Sequence, residues 1–409
     1  MNNINLSIKI ERAISELRRG GKVVITDNNN GLSVLLMPCE LIQRDSVDNL
    51  SKIAQSRPNI ILSPNRCKAL GIKTGNKPCS ILINKTWTFS EVMSLCLPLS
   101  NQEKPKINGV IMESEKGIVS SSLLILRQAR LLPAALMSLV SNVPIESISD
   151  WSFKNNLLHI DLEDIMAYEV VSANSLVMEV KANVPLSYTD NCEIMVFRPR
   201  DGGNEHFCLV FGKTRDVSYR SKGNPLVRIH SQCITGDILD SLKCDCGKQL
   251  KQSIKLMADA DEGVLVYLAQ EGRDIGLLNK LRAYALQENG MDTVQANEDL
   301  GFNDDERLYY PARQILSQLN ISQIKLITNN PKKVKHLTSL GVNVTERIPI
   351  KIKPNKHNKK YLDTKSKKSG RGLGFLSWDG TGFEMKTELE LLLSIDSVQV
   401  GKENTINSE

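Results

Sequence analysis

The sequence predicts an α/β fold divided between two domains. A chain of 409 residues is long enough for two or three domains of ordinary size. Amphipathic helical patterns alternate with short apolar strands in both halves of the chain. Near residue 172 the pattern changes to a succession of short alternating strands. We therefore predict one domain over 1–172, a second over 173–370 and a tail over 371–409.

The first half of the chain contains helices and strands in alternation. A helix is predicted over 8–19, and strands are predicted at KVVIT (22–26) and NIILSP (59–64). Residues 121–141 are helical in pattern, and HIDLEDIMAY (159–168) predicts a short helix. The apolar face of the first helix is formed by Ile10, Ala13, Ile14 and Leu17.

The second half begins with a run of strands. These are LVMEV (176–180), CEIMVFR (192–198), HFCLVFG (206–212) and PLVRIHS (225–231). A helix is then predicted over 240–261, with Leu250, Ile254 and Met257 on its apolar face and Gly263 as its end.

Two α/β units follow. VLVYLAQ (264–270) predicts a buried strand, which leads into a helix over 277–289. That helix is expected to present Leu278, Leu281 and Ala285 on one face. IKLIT (324–328) predicts another strand, after which Asn330 caps a helix with Pro331 in its first turn and Gly341 past its end.

Composition excludes several classes of protein. Apolar residues including glycine make up about 45% of the chain, as in a globular protein, and the net charge is only +6. The longest uncharged apolar stretch, 131–145, contains two prolines and is shorter than the ~20 residues of a membrane helix. The N-terminus has charges within its apolar pattern, unlike a signal peptide. Nine cysteines, an odd number, argue against a disulfide framework. We expect a cytoplasmic enzyme.

Three cysteines form the sharpest motif. Cys233, Cys244 and Cys246 lie within fourteen residues, in CITGDILDSLKCDC. Thiolates suit zinc, and three protein ligands would leave one position open for a water molecule, as in catalytic zinc sites. Two alternatives stand beside this interpretation. The cysteines could be ordinary buried residues, or His230 could complete a closed structural site.

Segments suited to binding anions flank the cysteines. Arg228 ends a strand, and Glu271-Gly272-Arg273 lies between a strand and a helix. Thr328 to Lys333 repeats the arrangement of strand, cap and helix N-terminus, followed by lysines. Together these segments predict a polyphosphate ligand such as a nucleotide. The alternative is that the lysines form a solvated surface. DDERLYY (304–310) is, on composition alone, an exposed charged loop.

Four blocks of sequence resemble the signature blocks of GTP cyclohydrolase II, the enzyme that begins riboflavin biosynthesis. They are HSQCITGDILDSLKCDCGKQL, QEGRDIGLLNKLRAYALQENGMDTVQAN, GFNDDERLYY and LITNNPKKV. The resemblance runs from about 175 to about 370 and includes YLDTKSKKSG. It implies a mixed-sheet domain with one zinc ion per chain, Mg²⁺ with the GTP phosphates, and a homodimer formed through this domain.

The resemblance also assigns roles to individual residues. Cys233, Cys244 and Cys246 match the zinc ligands, and the water would attack C8 of guanine so that formate is released. Asp305 matches a proton acceptor, and Tyr284 a residue that assists ring opening. Arg307 matches a nucleophile on the α-phosphate, although a guanidinium is a better phosphate clamp, so both roles stay open. The GTP-contacting positions are matched by Arg228, Ile229, His230, Ser231, Gln232, Gln249, Glu271, Gly272, Arg273, Thr293, Thr328 and Lys333.

Two residues depart from the family pattern. Gln232 stands where the family usually has Glu, and Asp274 stands where Gly or Asn is usual. Neither change removes a ligand or a residue with an assigned catalytic role. We expect them to affect rate and affinity rather than the type of reaction.

Residues 8–170 resemble 3,4-dihydroxy-2-butanone-4-phosphate synthase, mostly at scaffold positions. The segments are AISELRRGGKVVITD, NIILSPNRCKALGI, LRQARLLPAAL and LHIDLEDIMAY. Where that family has an acidic loop, this chain has DNNNGLSVLL, with Asp27 as the only acid. Where it has a His and a Glu, counting back from Pro133 gives Ile118 and Ser120. Because a hard divalent cation needs carboxylates, the synthase chemistry is expected to be absent.

Three functions are compatible with the sequence. The first is an active GTP cyclohydrolase II with a structural or regulatory N-terminal domain. The second is a bifunctional riboflavin enzyme, and the third is a non-catalytic nucleotide-binding regulator. Zinc content and formate release from GTP distinguish them.

Overall fold

The computed structural model describes residues 3–98 and 104–352. It contains two seven-stranded sheets, both mixed, with helices packed against them, within one compact unit. This confirms the predicted fold class of two mixed-sheet α/β domains. The predicted tail over 371–409 lies outside the described residues, and the limits of the domains stay a prediction. Among the described helices, none is long and apolar enough to cross a membrane.

The N-terminal sheet has the strand order β5-β4-β3-β6-β2-β1-β7. Only the pairing of β1 with β7 is parallel. The predicted apolar face of α1 is confirmed, because all four of its residues are at most 1% exposed. The elements are α1 (Asn3–Arg18), β1 (Val23–Asp27), β2 (Leu32–Pro38), α2 (Ser46–Ala54), β3 (Asn59–Leu62), α3 (Pro64–Ala69), β4 (Cys79–Leu82), α4 (Phe89–Cys96), β5 (Val110–Met112), α5 (Ile118–Gln128), β6 (Ala134–Leu139), α6 (Ile148–Lys154), β7 (Leu158–Asp161) and α7 (Leu162–Asn174).

The C-terminal sheet has the order β14-β13-β11-β12-β10-β9-β8. Its first four strands are mutually parallel and the others pair antiparallel. The elements are β8 (Leu176–Asn183), β9 (Cys192–Pro199), β10 (His206–Gly212), α8 (Val217–Lys222), β11 (Leu226–Ser231), α9 (Ile234–Asp237), α10 (Cys246–Asp259), β12 (Glu262–Leu268), α11 (Gly276–Glu288), α12 (Thr293–Asp299), α13 (Tyr310–Gln318), β13 (Gln323–Ile327), α14 (Pro331–Ser339) and β14 (Asn343–Ile348).

Parallel pairing explains how distant motifs meet. β11, β12 and β13 are neighbours that run in the same direction, so their carboxyl ends lie at one edge of the sheet. The first cysteine follows β11, the EGR segment follows β12, and the TNNPKK segment follows β13. That edge is where ligands bind in open α/β sheets.

The helix predicted over 121–141 is wrong in its second half. α5 ends at Gln128, Arg130 takes the left-handed φ of +58°, and β6 follows Pro133. β6 lies between β2 and β3 and is largely buried. A buried strand presents a continuous apolar run, which periodicity alone does not distinguish from a buried helix.

Two other predicted helices have the wrong limits. In the segment predicted as a helix over 159–168, the first three residues belong to β7, and α7 runs from Leu162 to Asn174. The helix predicted over 240–261 begins only at Cys246 and ends at Asp259. Gly263 does not end that helix but lies inside β12, because Asp261 makes the turn at φ +48°.

The predicted face of α11 is also wrong. Leu278 and Leu281 are 59% and 47% exposed. The helix instead buries Asn279, Lys280 and Ala283. Asn279 and Lys280 have hydrogen-bond partners there, so these polar side chains can be buried. A prediction based on hydrophobicity alone therefore chose the wrong face.

Candidate active site

The three cysteines converge as predicted. The Sγ atoms of Cys233, Cys244 and Cys246 all lie within 4.8 Å of one another. Those of Cys233 and Cys244 are 3.7 Å apart. Zn–S bonds of 2.3 Å in a tetrahedron place two sulfurs about 3.8 Å apart, so this spacing fits zinc.

Gly236 makes room for the cluster. A Cβ atom at this position would lie 2.7 Å from Sγ of Cys244 and 3.2 Å from Sγ of Cys233. A Cβ atom at Gly247 would lie 2.0 Å from the carbonyl oxygen of Gly236. Two glycines therefore permit the close approach of α9 and the start of α10 on which the thiol geometry depends.

The electrostatics of the cluster differ from those of ordinary buried cysteines. Hydrogen bonds with Cys244 and Cys246, together with the nearby ammonium of Lys280, hold the pKa of Cys233 well below its usual range. Nζ of Lys280 lies 3.1 Å from Sγ of Cys233. The hydrogen bonds with Cys233 raise the pKa of Cys244 and of Cys246. A thiolate is the form that binds metals, and thiols lose their protons when a metal binds, so one thiolate with two thiols fits a soft metal ion.

Lys280 links the cysteines to the EGR segment. Its Nζ donates to Oε1 of Glu271 at 2.9 Å and to Oγ1 of Thr235 at 2.8 Å. Oε2 of Glu271 in turn accepts from the backbone N–H of Ile234, at 2.6 Å. The sequence analysis missed Lys280. The sequence does place Lys280 on the same helical face as Ala283. A lysine on a buried face needs an acidic or polar partner, and this could have indicated that Lys280 belongs to the site.

His230 lies beside the cluster without joining it. Its Nε2 is 3.2 Å from both carboxylate oxygens of Asp237, which also accepts from the Tyr267 hydroxyl at 2.9 Å. Burial lowers the pKa of His230, which favours the neutral ring. The cluster among the described residues therefore offers three cysteines that could hold a metal ion, and the closed-site alternative has no support from His230.

Arg228 is a buried cation that is predicted to contact the nucleotide. Its guanidinium donates to the Ile327 carbonyl at 3.0 Å and to Oε1 of Gln249 at 2.6 Å. Burial lowers the pKa of Arg228 to about 10, so the side chain stays charged at neutral pH. Its Nε atom is buried and has no hydrogen-bond partner among the described residues. The guanidinium of Arg228 thus has one donor that no described residue uses.

The DDER loop reaches the carboxyl end of β11. Arg307 forms a two-point ion pair with Asp305, with distances of 2.7 Å (Nε–Oδ1) and 2.5 Å (Nη2–Oδ2). Nη1 of Arg307 is also 3.4 Å from Oγ of Ser231. The loop is therefore not a detached charged surface, because two of its residues lie beside the other predicted site residues.

The third strand of the edge contributes Lys333. Its side chain is 5% exposed, and Nζ donates to the carbonyl of Ile229 at 2.8 Å. Since the side chain of Ile229 is in the core, only its backbone can face a ligand. Asn330 caps α14 through Lys332 N–H, as predicted, and Oγ1 of Thr328 accepts from the N–H of Asn330. Lys333 is thus a buried cation, which excludes the solvated-surface interpretation for this lysine.

Three other predicted residues lie on α11, after β11 and on α12. The ring of Tyr284 on α11 has the Nζ atoms of Lys243 and Lys280 at 4.7 and 5.9 Å from its centroid. The N–H of Gln232 donates to the Leu268 carbonyl between β11 and β12. Thr293 begins α12, and no hydrogen bond between described residues joins it to the other predicted site residues.

The fold and the site together define a class, namely a mixed-sheet α/β protein with a three-thiol cluster suited to a metal and buried cations suited to an anion. The family model described as GTP cyclohydrolase II matches residues 177–349. A relative from Azospirillum brasilense named "GTP cyclohydrolase-2" is 38% identical over 367 residues, which cover 88% of this chain and 93% of the relative. The chain belongs to the GTP cyclohydrolase II family.

The similarity to relatives extends across the N-terminal region. "Riboflavin biosynthesis protein RibBA" from Phocaeicola vulgatus is 32% identical over 401 residues, which cover 90% of this chain and 98% of the relative. Among solved structures, RibBX, a two-domain 3,4-dihydroxy-2-butanone 4-phosphate synthase from A. baumannii, has a TM-score of 0.33 and 15% identity and covers 84% of this chain and 99% of that one. At that score the likeness supports no statement about activity.

Proposed function

We propose that this chain is an active GTP cyclohydrolase II of the cytoplasm. It would convert GTP to 2,5-diamino-6-hydroxy-4-(5-phosphoribosylamino)pyrimidine, formate and pyrophosphate, the first step of riboflavin biosynthesis. The observation that carries the proposal is the three-thiol cluster at the same sheet edge as Arg228, Arg307 and Lys333. Membership of the family supports it.

The cysteines would hold zinc. Bound there, zinc would supply a Lewis acid that lowers the pKa of a water molecule to about 7. Beside the hydrogen bonds with Cys244 and Cys246, the ammonium of Lys280 would favour the anionic form of Cys233, and Glu271 holds Lys280 by a hydrogen bond. Mg²⁺ would arrive with the GTP phosphates, as it commonly does in phosphoryl chemistry.

The cations at the sheet edge would bind the triphosphate. Arg228 offers a free Nε donor, and Lys333 presents a buried ammonium. Arg307 would exchange its carboxylate partner, Asp305, for the α-phosphate, which would free Asp305 to accept a proton. We propose that the remaining contacts to GTP come from Ile229, His230, Ser231, Gln232, Gln249, Glu271, Gly272, Arg273, Thr293 and Thr328, with Tyr284 assisting ring opening.

The deciding experiment supplies GTP and Mg²⁺ to the zinc-loaded protein. Formate, pyrophosphate and the diaminopyrimidine should appear in equal amounts. Release of inorganic phosphate alone would indicate a simple nucleotidase and contradict the proposal. Binding of GTP without any product would favour a non-catalytic regulator.

We also propose that the two domains meet near residue 172. β7 of the first sheet ends at Asp161, β8 of the second begins at Leu176, and α7 occupies the interval. The proposed boundary lies in the last turn of that helix.

The N-terminal domain is expected to have no synthase activity. The loop after β1 carries Asn28, Asn29 and Asn30, which donate to Asp161, Glu163 and Asp27. The carboxylates of these three acids therefore accept hydrogen bonds from asparagine amides. Without a bound metal, the negative charge of the enediolate formed from ribulose 5-phosphate would not be stabilised. Purified protein incubated with ribulose 5-phosphate and Mg²⁺ should release no formate.

Two controls make this measurement decisive. An authentic synthase in the same assay establishes that formate is detectable. GTP is omitted, because GTP cyclohydrolase activity also yields formate. Formate release by this chain above the level of a protein-free sample would favour the bifunctional alternative.

A homodimer is proposed from an exposed apolar surface of the C-terminal domain. We define the apolar surface as Ile238, Leu239, Leu242, Leu278 and Leu281, which are 47–74% exposed. The two segments adjoin, because Lys243 pairs with Glu288 at 2.9 Å. Apolar surface of this kind commonly marks an interface between proteins.

Light scattering tests the homodimer directly. The wild-type chain should have twice the mass of one chain, and Leu278→Glu combined with Leu239→Glu should yield monomer. Phe153→Glu is a matched control, because Phe153 is 86% exposed and lies outside the apolar surface. A monomeric wild type at micromolar concentration would contradict the prediction.

A further inference from the structure

The turn between β12 and α11 has an unfavourable backbone conformation. Gly272, Arg273, Asp274 and Gly276 all have positive φ, between +63° and +84°. Two of these residues carry side chains, for which the left-handed region is costly. Such a conformation persists only when surrounding contacts impose it. The turn therefore depends on contacts from outside itself.

Arg130 of the N-terminal domain supplies such contacts. Its Nη2 donates to Oδ1 of Asp274 at 3.0 Å and to the carbonyl of Ala269 at 2.5 Å, so that one guanidinium joins two points of the turn. Its aliphatic part lies over Gly276, where a Cβ atom would come within 3.3 Å of Cβ of Arg130. Its carbonyl accepts from Nδ2 of Asn279 at 2.8 Å. Both its side chain and its backbone therefore contact this part of the C-terminal domain.

The turn is connected to both sides of the candidate site. Glu271 accepts from the N–H of Ile234, the residue after the first cysteine. Arg273 donates to the carbonyl of Asp304 at 2.6 Å and pairs with its carboxylate, next to Asp305 in the loop. A displacement of the turn would consequently shift residues near the cysteines and residues of the DDER loop.

Other residues of the N-terminal domain hold the segment that leads into this loop. Arg66 donates to the carboxylate of Asp299 at 2.9 Å, and its own side chain is only 3% exposed. Oγ of Ser63 donates to the carbonyl of Gly301 at 2.7 Å. These contacts hold the N-terminal domain against the segment that precedes the loop. The position of Arg130 relative to the C-terminal domain is therefore fixed by contacts other than its own.

We propose that Arg130 is a positioning residue for the GTP site, which it serves by holding Asp274 and with it the turn that carries Glu271 and Arg273. The inference rests on the proposed function for its effect on catalysis. It gives the N-terminal domain a role that does not need synthase chemistry.

Kinetics of the full-length, zinc-loaded protein test the proposal. Arg130→Ala should lower kcat/KM for GTP by about 10- to 100-fold with unchanged zinc content, because small misplacements at a site cost rates of that order. Arg130→Lys keeps the charge on a shorter side chain of different shape and should have an intermediate value. Asp274→Ala should cause a similar loss, and the double variant should lose no more than Arg130→Ala alone.

Hydrogen exchange provides a readout that does not depend on activity. Amides of 270–276 should exchange faster in Arg130→Ala, while those of β11 stay unchanged. Arg19→Ala is the matched control, because the Arg19 side chain is 70% exposed just after the end of α1 and, among the described residues, its ion pair is with Glu16 of that helix. If Arg130→Ala fails to fold, Arg130→Lys replaces it in both measurements.

The outcomes separate the two proposals. Wild-type kinetics and wild-type exchange in Arg130→Ala would overturn the positioning role. A wild-type protein that makes no formate would contradict the proposed function, and the exchange rates would still decide whether Arg130 holds the turn. Full additivity of Arg130→Ala and Asp274→Ala would contradict their action as a pair.

Discussion

Cys244→Ser should lose bound zinc and lower formate release from GTP by about 10³-fold or more. A serine hydroxyl is a hard, protonated donor at neutral pH, whereas the site is built for soft thiolates. Without the metal no group in the cluster can activate water at neutral pH, and that activation contributes several kcal/mol. Metal content by elemental analysis and formate release in the same preparation measure both effects.

A cysteine outside the cluster provides the control. Cys192→Ser makes the same atomic change at a fully buried position in β9. It should lower stability, because a hydroxyl enters the core, but it should retain zinc and formate release. Full formate release by zinc-free Cys244→Ser protein would show that the cluster does not carry the chemistry.

The fold class could be predicted because it depends on local patterns. The apolar face of α1, the caps of α14 and most strands of the C-terminal sheet are visible within windows of a few residues. β6 could not be predicted, because its burial between β2 and β3 depends on strands far away in the chain. The same limit explains the wrong face of α11, whose polar residues are buried with partners from other segments.

The candidate site divides in the same way. The three cysteines are close in sequence, so their spacing alone predicted a cluster. Lys280 contacts Cys233 from 47 residues away, and Arg130 contacts Asp274 from 144 residues away. Such contacts are set by the packing of whole elements, which a single sequence does not display. The resemblance to the family named residues on each segment, but it did not reveal what holds the segments together.

Arg307→Lys should bind GTP within a few-fold of the wild type while losing about 10²- to 10³-fold in turnover, the usual cost of removing one donor that stabilises a transition state. The structure shows why the fork matters, because two nitrogens of Arg307 contact both oxygens of Asp305 while a third faces Ser231. Lysine keeps the positive charge that attracts the phosphates but presents a single nitrogen. Both proposed roles of Arg307, nucleophile and clamp, require more than charge. Single-turnover kinetics and equilibrium binding of GTP separate the two effects.

Arg313→Lys is the matched control for this substitution. Arg313 is an exposed residue of α13, so the same chemical change there should alter neither turnover nor binding. Wild-type turnover in Arg307→Lys would dismiss both roles, since charge alone would then suffice. Loss of GTP binding with unchanged turnover of the bound GTP would place Arg307 in ground-state recognition instead, because an interaction made only in the transition state lowers turnover without weakening substrate binding.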